Sequence, residues 1–255
     1  MAKKYPVLMT EQRVMLLTGA SGGVGRTLVK GLSEAGYNLA LHYNNNLEEL
    51  ATLLEEEKPV TKVALFKADL TNEMQVAEMI ESIIAAFGRI DVIINNAGIG
   101  PSGLSWKMDL NSWNETLAVN LTAPMLVCKH ALPHLRVQEY GRIINISSVV
   151  AHIGMPGTTA YAASKAGLEG YTRSLCKEVI NKNITANILA YGYMDAGMIG
   201  VLTEEMKTIV KAMIPAGKFG PMEDILSALL YLADERSSYV TGQTIHVNGG
   251  MFLNS

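Results

Sequence analysis

The chain is predicted to fold as an α/β protein, a doubly wound and mostly parallel sheet with helices on both faces. Three observations carry that reading. Short apolar runs and amphipathic runs alternate along the whole length. The first apolar run, Val14-Met15-Leu16-Leu17, passes straight into the glycine-rich stretch Thr18-Gly19-Ala20-Ser21-Gly22-Gly23-Val24-Gly25. Asp91-Val92-Ile93-Ile94 is apolar without alternation, as a strand covered on both faces requires.

Residues 1–12 read as a loose lead-in. The strand from Val14 ends in the glycine turn. Leu28, Val29, Leu32 and Ala35 then recur at helical spacing until Gly36 stops the run. Asn38 to Tyr43 is a second strand, broken by Asn44-Asn45-Asn46. Leu47 to Lys58 is a polar-faced helix closed by Pro59, and Lys62 to Phe66 a third strand leading to Asp69. Thr71 or Asn72 caps a helix that runs to Gly88, with Met74, Val76, Met79, Ile80, Ile83 and Ile84 on its apolar face. Asp91 to Ile94 is the fourth strand. A long helix is expected over Ser112 to Arg136, kinked at Pro124. Arg142 to Ile146 is a fifth strand, Ala160 to Asn181 a helix, Thr185 to Ala190 a sixth strand and Thr244 to Val247 a seventh.

A length of 255 residues suits one large domain or two small ones. The alternation has no repeat and no Pro- or Ser-rich linker, so one domain over 1–255 is expected. Residues 191–220 break the pattern. They carry Gly192, Gly197, Gly200, Pro215, Gly217 and Gly220 around a short helical piece, after a strand's carboxyl end, and read as a substrate lid. The net charge of −3 is scattered, which argues against a nucleic-acid groove or an anionic membrane surface. Met1-Ala2-Lys3-Lys4 is followed by no apolar segment of a signal peptide, and no run approaches a membrane span. Cys128 and Cys176 make no CxxC pair. A cytoplasmic protein with reduced thiols is expected.

The glycine turn is the first candidate site. Glycines at 19, 23 and 25 let the backbone approach a ligand, and the N–H groups opening the next helix favour an anion. A dinucleotide pyrophosphate suits that geometry. Tyr161 and Lys165 form the second candidate. Four residues apart on a helix, they share a face. Ser148, thirteen residues before Tyr161, lies just past the fifth strand. All three can meet at the sheet's carboxyl edge. Carbonyl reduction needs a proton donor beside the hydride path, which a tyrosine supplies. A nearby ammonium, together with an oxidised nicotinamide ring, is expected to lower its pKa from about 10 so that it also serves as a base. The Ser148 hydroxyl would hold the substrate oxygen.

These motifs resemble the short-chain dehydrogenase/reductase family from about Val14 to the C-terminus. Thr18-Gly19-x-x-x-Gly23-x-Gly25 is similar to its cofactor turn, Asn95-Asn96-Ala97-Gly98 to its fourth-strand signature, and Asp69 to the aspartate that approaches the adenine. Asn120 matches the asparagine that holds a water of the proton relay, and Ser148, Tyr161 and Lys165 match the other catalytic positions. The resemblance implies a Rossmann-type sheet of seven parallel strands and interconversion of an alcohol and a carbonyl with NAD(P). It implies cofactor contacts from Gly19, Ser21, Gly23, Val24, Gly25, Tyr43, Asn44, Asn45, Asp69, Leu70, Asn96, Ala97, Gly98, Tyr161, Lys165, Gly192 and Met194. Lys165 would also grip the nicotinamide ribose. Subunits would join through the helices at 112–136 and 160–181 as a homodimer or homotetramer.

The segment 240–250 with Pro215-Ala216-Gly217-Lys218-Phe219-Gly220 is most similar to bacterial 3-oxoacyl acyl-carrier-protein reductases. The sequence departs from the family after the sixth strand. Tyr191 replaces the proline of Pro-Gly, and Ala196 takes the place of a threonine that touches the carboxamide or the phosphates, which would loosen the nicotinamide end or make the lid more mobile. Arg142 and Lys182 are read as basic residues of the active-site entrance, but Glu139 among the docking positions argues against carrier-protein docking. No carboxylate ends the second strand, so NADP(H) is preferred over NAD(H). His130 and His134 lack a third ligand and are read as structural, so no metal is expected. His152 reads either as lining the substrate mouth or as a plain loop histidine, and Met194, Met198, Met206 and Met213 fall in the lid.

Overall fold

The computed structural model describes residues 12–197, 200 and 203–253. Met198 and most of the lead-in lie outside them.

Seven parallel strands make one sheet: β1 Val14–Leu17, β2 Asn38–Tyr43, β3 Val63–Lys67, β4 Val92–Asn95, β5 Gly141–Ser148, β6 Ile184–Tyr191 and β7 Thr244–Val247, in the order β3-β2-β1-β4-β5-β6-β7. Alternate residues of β1 enter opposite cores, as the pleat demands. Met15 and Leu17 pack with helices α1 (Gly25–Glu34) and α2 (Leu47–Glu57). Val14 and Leu16 pack with α3 (Glu73–Phe87). The crossovers change direction between β1 and β4, and their carboxyl ends open the crevice where ligands bind in such sheets. Asn72 caps α3 by accepting from the N–H groups of Met74 and Gln75.

The expected helix over Ser112 to Arg136 is instead two helices with an inserted turn. α4 (Leu110–Leu117) runs into a π-helical turn, Ala118–Thr122, before α5 (Ala123–Gln138). Pro124 sits in the first turn of α5, where its missing N–H costs little. The strain expected at the proline is taken up by the wide turn just before it, and Asn120 lies within that turn.

Beyond β5 come α6 (Val150–Ile153), α7 (Thr159–Val179) and, after β6, α8 (Glu204–Ala212). A helix not anticipated from the sequence, α9 (Met222–Ala233), buries Ile225, Leu229, Leu232 and Ala233 on the side of α1 and α2. The opposite side is covered by α3, α5 and α7. Among the described residues no helix is long and apolar enough to cross a membrane.

Candidate active site

The glycine turn is shaped by close backbone contacts. Gly19 has φ +65°, and a Cβ there would lie 2.9 Å from Cα of Ala97. A Cβ on Gly25 would come 2.3 Å from the Gly19 carbonyl oxygen. Thr18 and the Asn96-Ala97 pair tie the turn to β4. Thr18 Oγ1 accepts from the N–H groups of Asn96 at 2.9 Å and Ala97 at 3.1 Å, while Asn96 Nδ2 donates to the Thr18 carbonyl at 2.9 Å. His42, at the end of β2, supports the turn from below. Its Nδ1 accepts from the Gly19 N–H at 3.0 Å and its Nε2 bonds the Ala68 carbonyl at 2.9 Å. Val24 precedes α1 without any side-chain cap, and the first turn of that helix carries no acidic residue. A glycine-rich turn at a helix start with no competing carboxylate fits a pyrophosphate, while the N–H groups of Arg26 and Thr27 bond the Gly22 and Val24 carbonyls.

Ser21 and Val24 flank the cradle half-buried, and Tyr43, Asn44 and Asn45 leave β2 toward solvent without a carboxylate among them. Leu70 is buried, and Asp69 Oδ1 accepts from the N–H and hydroxyl of Thr71 at 2.9 and 2.7 Å. Gly192 presses on Asn248, where a Cβ would lie 3.0 Å from Cα. Met194 is buried and forms a bridge to Gly220.

The four residues matched to catalysis converge at the carboxyl edge of β4 and β5. Ser148 ends β5, and its Oγ accepts from the Val150 N–H at 3.2 Å. Tyr161 and Lys165 stand one turn apart on α7, with Lys165 Nζ 5.8 Å from the centre of the Tyr161 ring. Nζ donates to the Ile146 carbonyl at 2.8 Å. Asn120 grips the backbone after β4, accepting from the Ile99 N–H and donating to the Ile99 carbonyl, each at 2.8 Å, and also donates to Ser164 Oγ at 3.0 Å. Gly98 closes the group, for a Cβ there would sit 3.2 Å from Asn120 Oδ1 and 3.5 Å from Lys165 Nζ. The π turn carries the Asn120 amide into this cluster.

Burial raises the Tyr161 pKa, and a hydrogen bond with Ser148 only partly offsets it. Burial also lowers the Lys165 pKa to about 8, so below that pH it is an ammonium that spends one of its three N–H groups on the Ile146 carbonyl. Two further phenols flank Tyr161 and oppose its ionisation or feel it. These are Tyr193, and Tyr191 in the place of the family's proline.

Other expectations are corrected or refined. Arg142 begins β5, six residues before Ser148, so about 20 Å of strand separates it from the active-site edge. It is buried, and its guanidinium donates to the carbonyls of Gly141 and Asn183 at 2.9 and 3.0 Å. Lys182 precedes β6 at the same end and bonds Glu139 at 2.8 Å. None of the three lines the entrance. His152 turns inward and bonds the buried Glu169 at 2.9 Å. His130 and His134 bond Glu73 and Glu81 of α3 at 3.2 and 3.1 Å. Among the described residues no group of His, Cys, Asp or Glu could hold a metal ion. Both cysteines are free and buried. Met206 and Met213 are exposed on and just after α8, unlike Met194.

Sequence reasoning missed His42 and Ser164. A polar residue inside the buried run Leu39-Ala40-Leu41 was the available signal for His42.

A family model described as Enoyl-(Acyl carrier protein) reductase matches residues 19–252. The chain is similar to the 3-oxoacyl acyl-carrier-protein reductase FabG of Staphylococcus aureus, 38% identical over 240 residues that span 93% of this chain and 97% of that protein. The FabG of Aquifex aeolicus is 39% identical over 243 residues, covering 94% and 97%. Nodulation protein G of a Rhizobium species is 40% identical over 241 residues, again covering 94% and 97%. The glycine cradle, the Ser148, Tyr161 and Lys165 cluster and these full-length matches agree: the chain belongs to the short-chain dehydrogenase/reductase family, nicotinamide-dependent oxidoreductases that act on alcohol and carbonyl groups.

Proposed function

We propose that the protein reduces a carbonyl to an alcohol with NADPH, and that its substrate is a 3-oxoacyl thioester. The convergence of Ser148, Tyr161, Lys165 and Asn120 beside the glycine cradle carries this reading. The bound nicotinamide supplies the hydride. Tyr161 gives its proton to the developing alkoxide, and its raised pKa keeps it protonated at neutral pH. Ser148 donates to the same oxygen and fixes its position. Lys165 holds ribose hydroxyls, and Asn120 anchors the water through which Tyr161 is reprotonated. The relatives' printed names support the thioester, since two of the three are 3-oxoacyl reductases. The enoyl wording of the family model would instead mean hydride addition to a carbon–carbon double bond, where a phenol would stabilise the enolate oxygen, so the enoyl thioester control separates the two reactions.

The preference for NADPH is supported by the end of β2. Tyr43, Asn44 and Asn45 offer amide and hydroxyl donors to a 2′-phosphate and no carboxylate to repel it. Gly19, Ser21, Gly23, Val24 and Gly25 would hold the pyrophosphate, Asp69 and Leu70 the adenine, Asn96, Ala97 and Gly98 the adjoining ribose, and Gly192 and Met194 the carboxamide. In this reading the whole chain is one dinucleotide-binding domain with a lid at 191–220. Subunits pair through α4, α5 and α7 into a homodimer or homotetramer, which light scattering would measure.

The test is the loss of NADPH absorbance with an acetoacetyl thioester, with NADH and an enoyl thioester as controls. Tyr161→Phe is expected to abolish turnover and leave NADPH binding nearly unchanged. Unaltered turnover in that variant would refute the assignment, and equal rates with NADH would refute the cofactor preference.

A further inference from the structure

Glu169 lies one turn beyond Lys165 and two beyond Tyr161 on α7, and it is 2% exposed. A buried carboxylate is costly unless donors surround it. Three surround this one. Ser147 Oγ donates to Oε1 at 2.7 Å, His152 Nε2 meets the same oxygen at 2.9 Å, and Nη1 of the half-exposed Arg173 reaches Oε2 at 3.4 Å. An ionised carboxylate only accepts, so Nε2 is the protonated nitrogen of His152.

The places of these donors in the chain matter more than their number. Ser147 immediately precedes Ser148, and His152 belongs to α6, which starts two residues after it. One carboxylate thus holds the chain on both sides of Ser148, from the helix that carries Tyr161 and Lys165. β5 needs such a hold at this end. Its pairing with β4 stops at Asn145, while its pairing with β6 runs on to Ser148. Residues 146–148 therefore have a neighbouring strand on one side only. α7 restrains them through side chains, with Lys165 Nζ on the Ile146 carbonyl and Glu169 on Ser147. The His152 ring is itself wedged. Phe252 stacks on it with centroids 4.5 Å apart, and His246 stands T-shaped to it at 4.8 Å.

We infer that Glu169 is a positioning residue for the reaction: by tying Ser147 and His152 to α7, it sets the place of the Ser148 hydroxyl relative to the Tyr161 phenol. This rests on the carbonyl-reductase reading above. Ser148 touches the substrate, and Glu169 acts through it. The reacting geometry tolerates little error, since a displacement of about 1 Å costs on the order of a hundredfold in rate. The loss falls on kcat, because the Ser148 hydrogen bond strengthens as the substrate oxygen gains charge.

The experiment measures kcat, KM and NADPH affinity with ethyl acetoacetate for wild type, Glu169→Leu and Glu169→Gln. Leucine fills the volume and accepts nothing. Glutamine keeps an oxygen for Ser147 and His152 without the charge. Glu169→Leu is expected to lower kcat about ten- to a hundredfold with KM and NADPH affinity nearly constant, and Glu169→Gln to recover most of that loss. An unchanged kcat in Glu169→Leu, an equal loss of kcat and NADPH affinity, or no recovery in Glu169→Gln overturns the role and leaves the reductase reading standing. Where Glu169→Leu does not fold, Ser147→Ala decides. It deletes one tie and is expected to lower kcat about threefold or more, and an unchanged kcat overturns the role. Absence of NADPH oxidation by wild type with every carbonyl tried overturns the reductase reading, and this role with it.

Discussion

The N–H of Gly19 donates to Nδ1 of His42 at 3.0 Å, so the glycine turn rests on an imidazole that must stay neutral at that nitrogen. The other ring nitrogen then carries the proton and donates to the Ala68 carbonyl.

Burial lowers the His42 pKa from its ordinary 6.5. In the window just below pH 6.5 the unfolded chain takes up a proton that the folded chain refuses, so stability falls as pH falls. His42→Phe removes this dependence. It also strands the Gly19 N–H and the Ala68 carbonyl, at a cost of about 1–3 kcal/mol at neutral pH. Urea midpoints of the two proteins from pH 7 to pH 5 would show it. A wild-type midpoint that drops no faster than the variant's would contradict the argument.

Lys165 gives the opposite end of the pH scale. Its folded pKa of about 8 lies below the ordinary value of 10.5. Between those values the folded chain has lost the proton and the unfolded chain still holds it, so this group adds stability as pH rises from about 8 toward 10.5. Below pH 8 its burial as an ammonium is a penalty. Lys165→Met is expected to be more stable than wild type at pH 7 and to lose that advantage by pH 10. Thermal midpoints of the two without cofactor would decide, and a constant difference between them would count against a desolvated ammonium.

The raised pKa of Tyr161 makes the two directions of the reaction respond differently to pH. Reduction consumes the phenol proton and is expected to hold its rate through neutral pH. Oxidation needs the phenolate and is expected to climb with pH above neutrality. Initial rates of ketone reduction and alcohol oxidation from pH 6 to pH 10 test this, and parallel profiles would speak against Tyr161 as the proton carrier.

Gly23 meets Gly197 across the turn so closely that a Cβ on Gly23 would lie 2.6 Å from the Gly197 Cα. The obstacle is backbone, so it cannot yield by a rotamer change. Gly23→Ala is expected to lift the 195–197 segment off the turn and weaken NADPH binding about tenfold or more, with little loss of global stability. Fluorescence titration and a melting curve measure the two, and unaltered affinity would show that the contact is dispensable.

Much of this was readable in the residues. The turn needs glycine at 19, 23 and 25 for reasons of space that no other residue meets, so its composition gives it away. Tyr161 and Lys165 were recognisable because helical spacing places them on one face. What stayed hidden depends on partners far along the chain. His42 contacts Gly19 and Ala68 from β2, which no local pattern encodes. The rise in the Tyr161 pKa stayed hidden because spacing gives proximity to Lys165 and says nothing of the burial that opposes ionisation of the phenol. Arg142 was misplaced although strand length alone puts it at the other end. α9 was missed because Leu226 to Ala233 is almost uniformly apolar, which blurs its periodicity.

The wide turn at Ala118–Thr122 has one more consequence. Its rungs span five residues where an ordinary helix spans four, so it holds one residue in excess. Removal of a single neighbour of Asn120, such as Val119, would let α4 and α5 fuse into one regular rod. The flanking helices would keep nearly the same faces, because five residues of the wide turn sweep about the angle that four sweep in an ordinary helix. What would go is the bulge that presents the Asn120 amide to Ile99, so the chain's length at this point is itself under constraint, independent of which residues fill it.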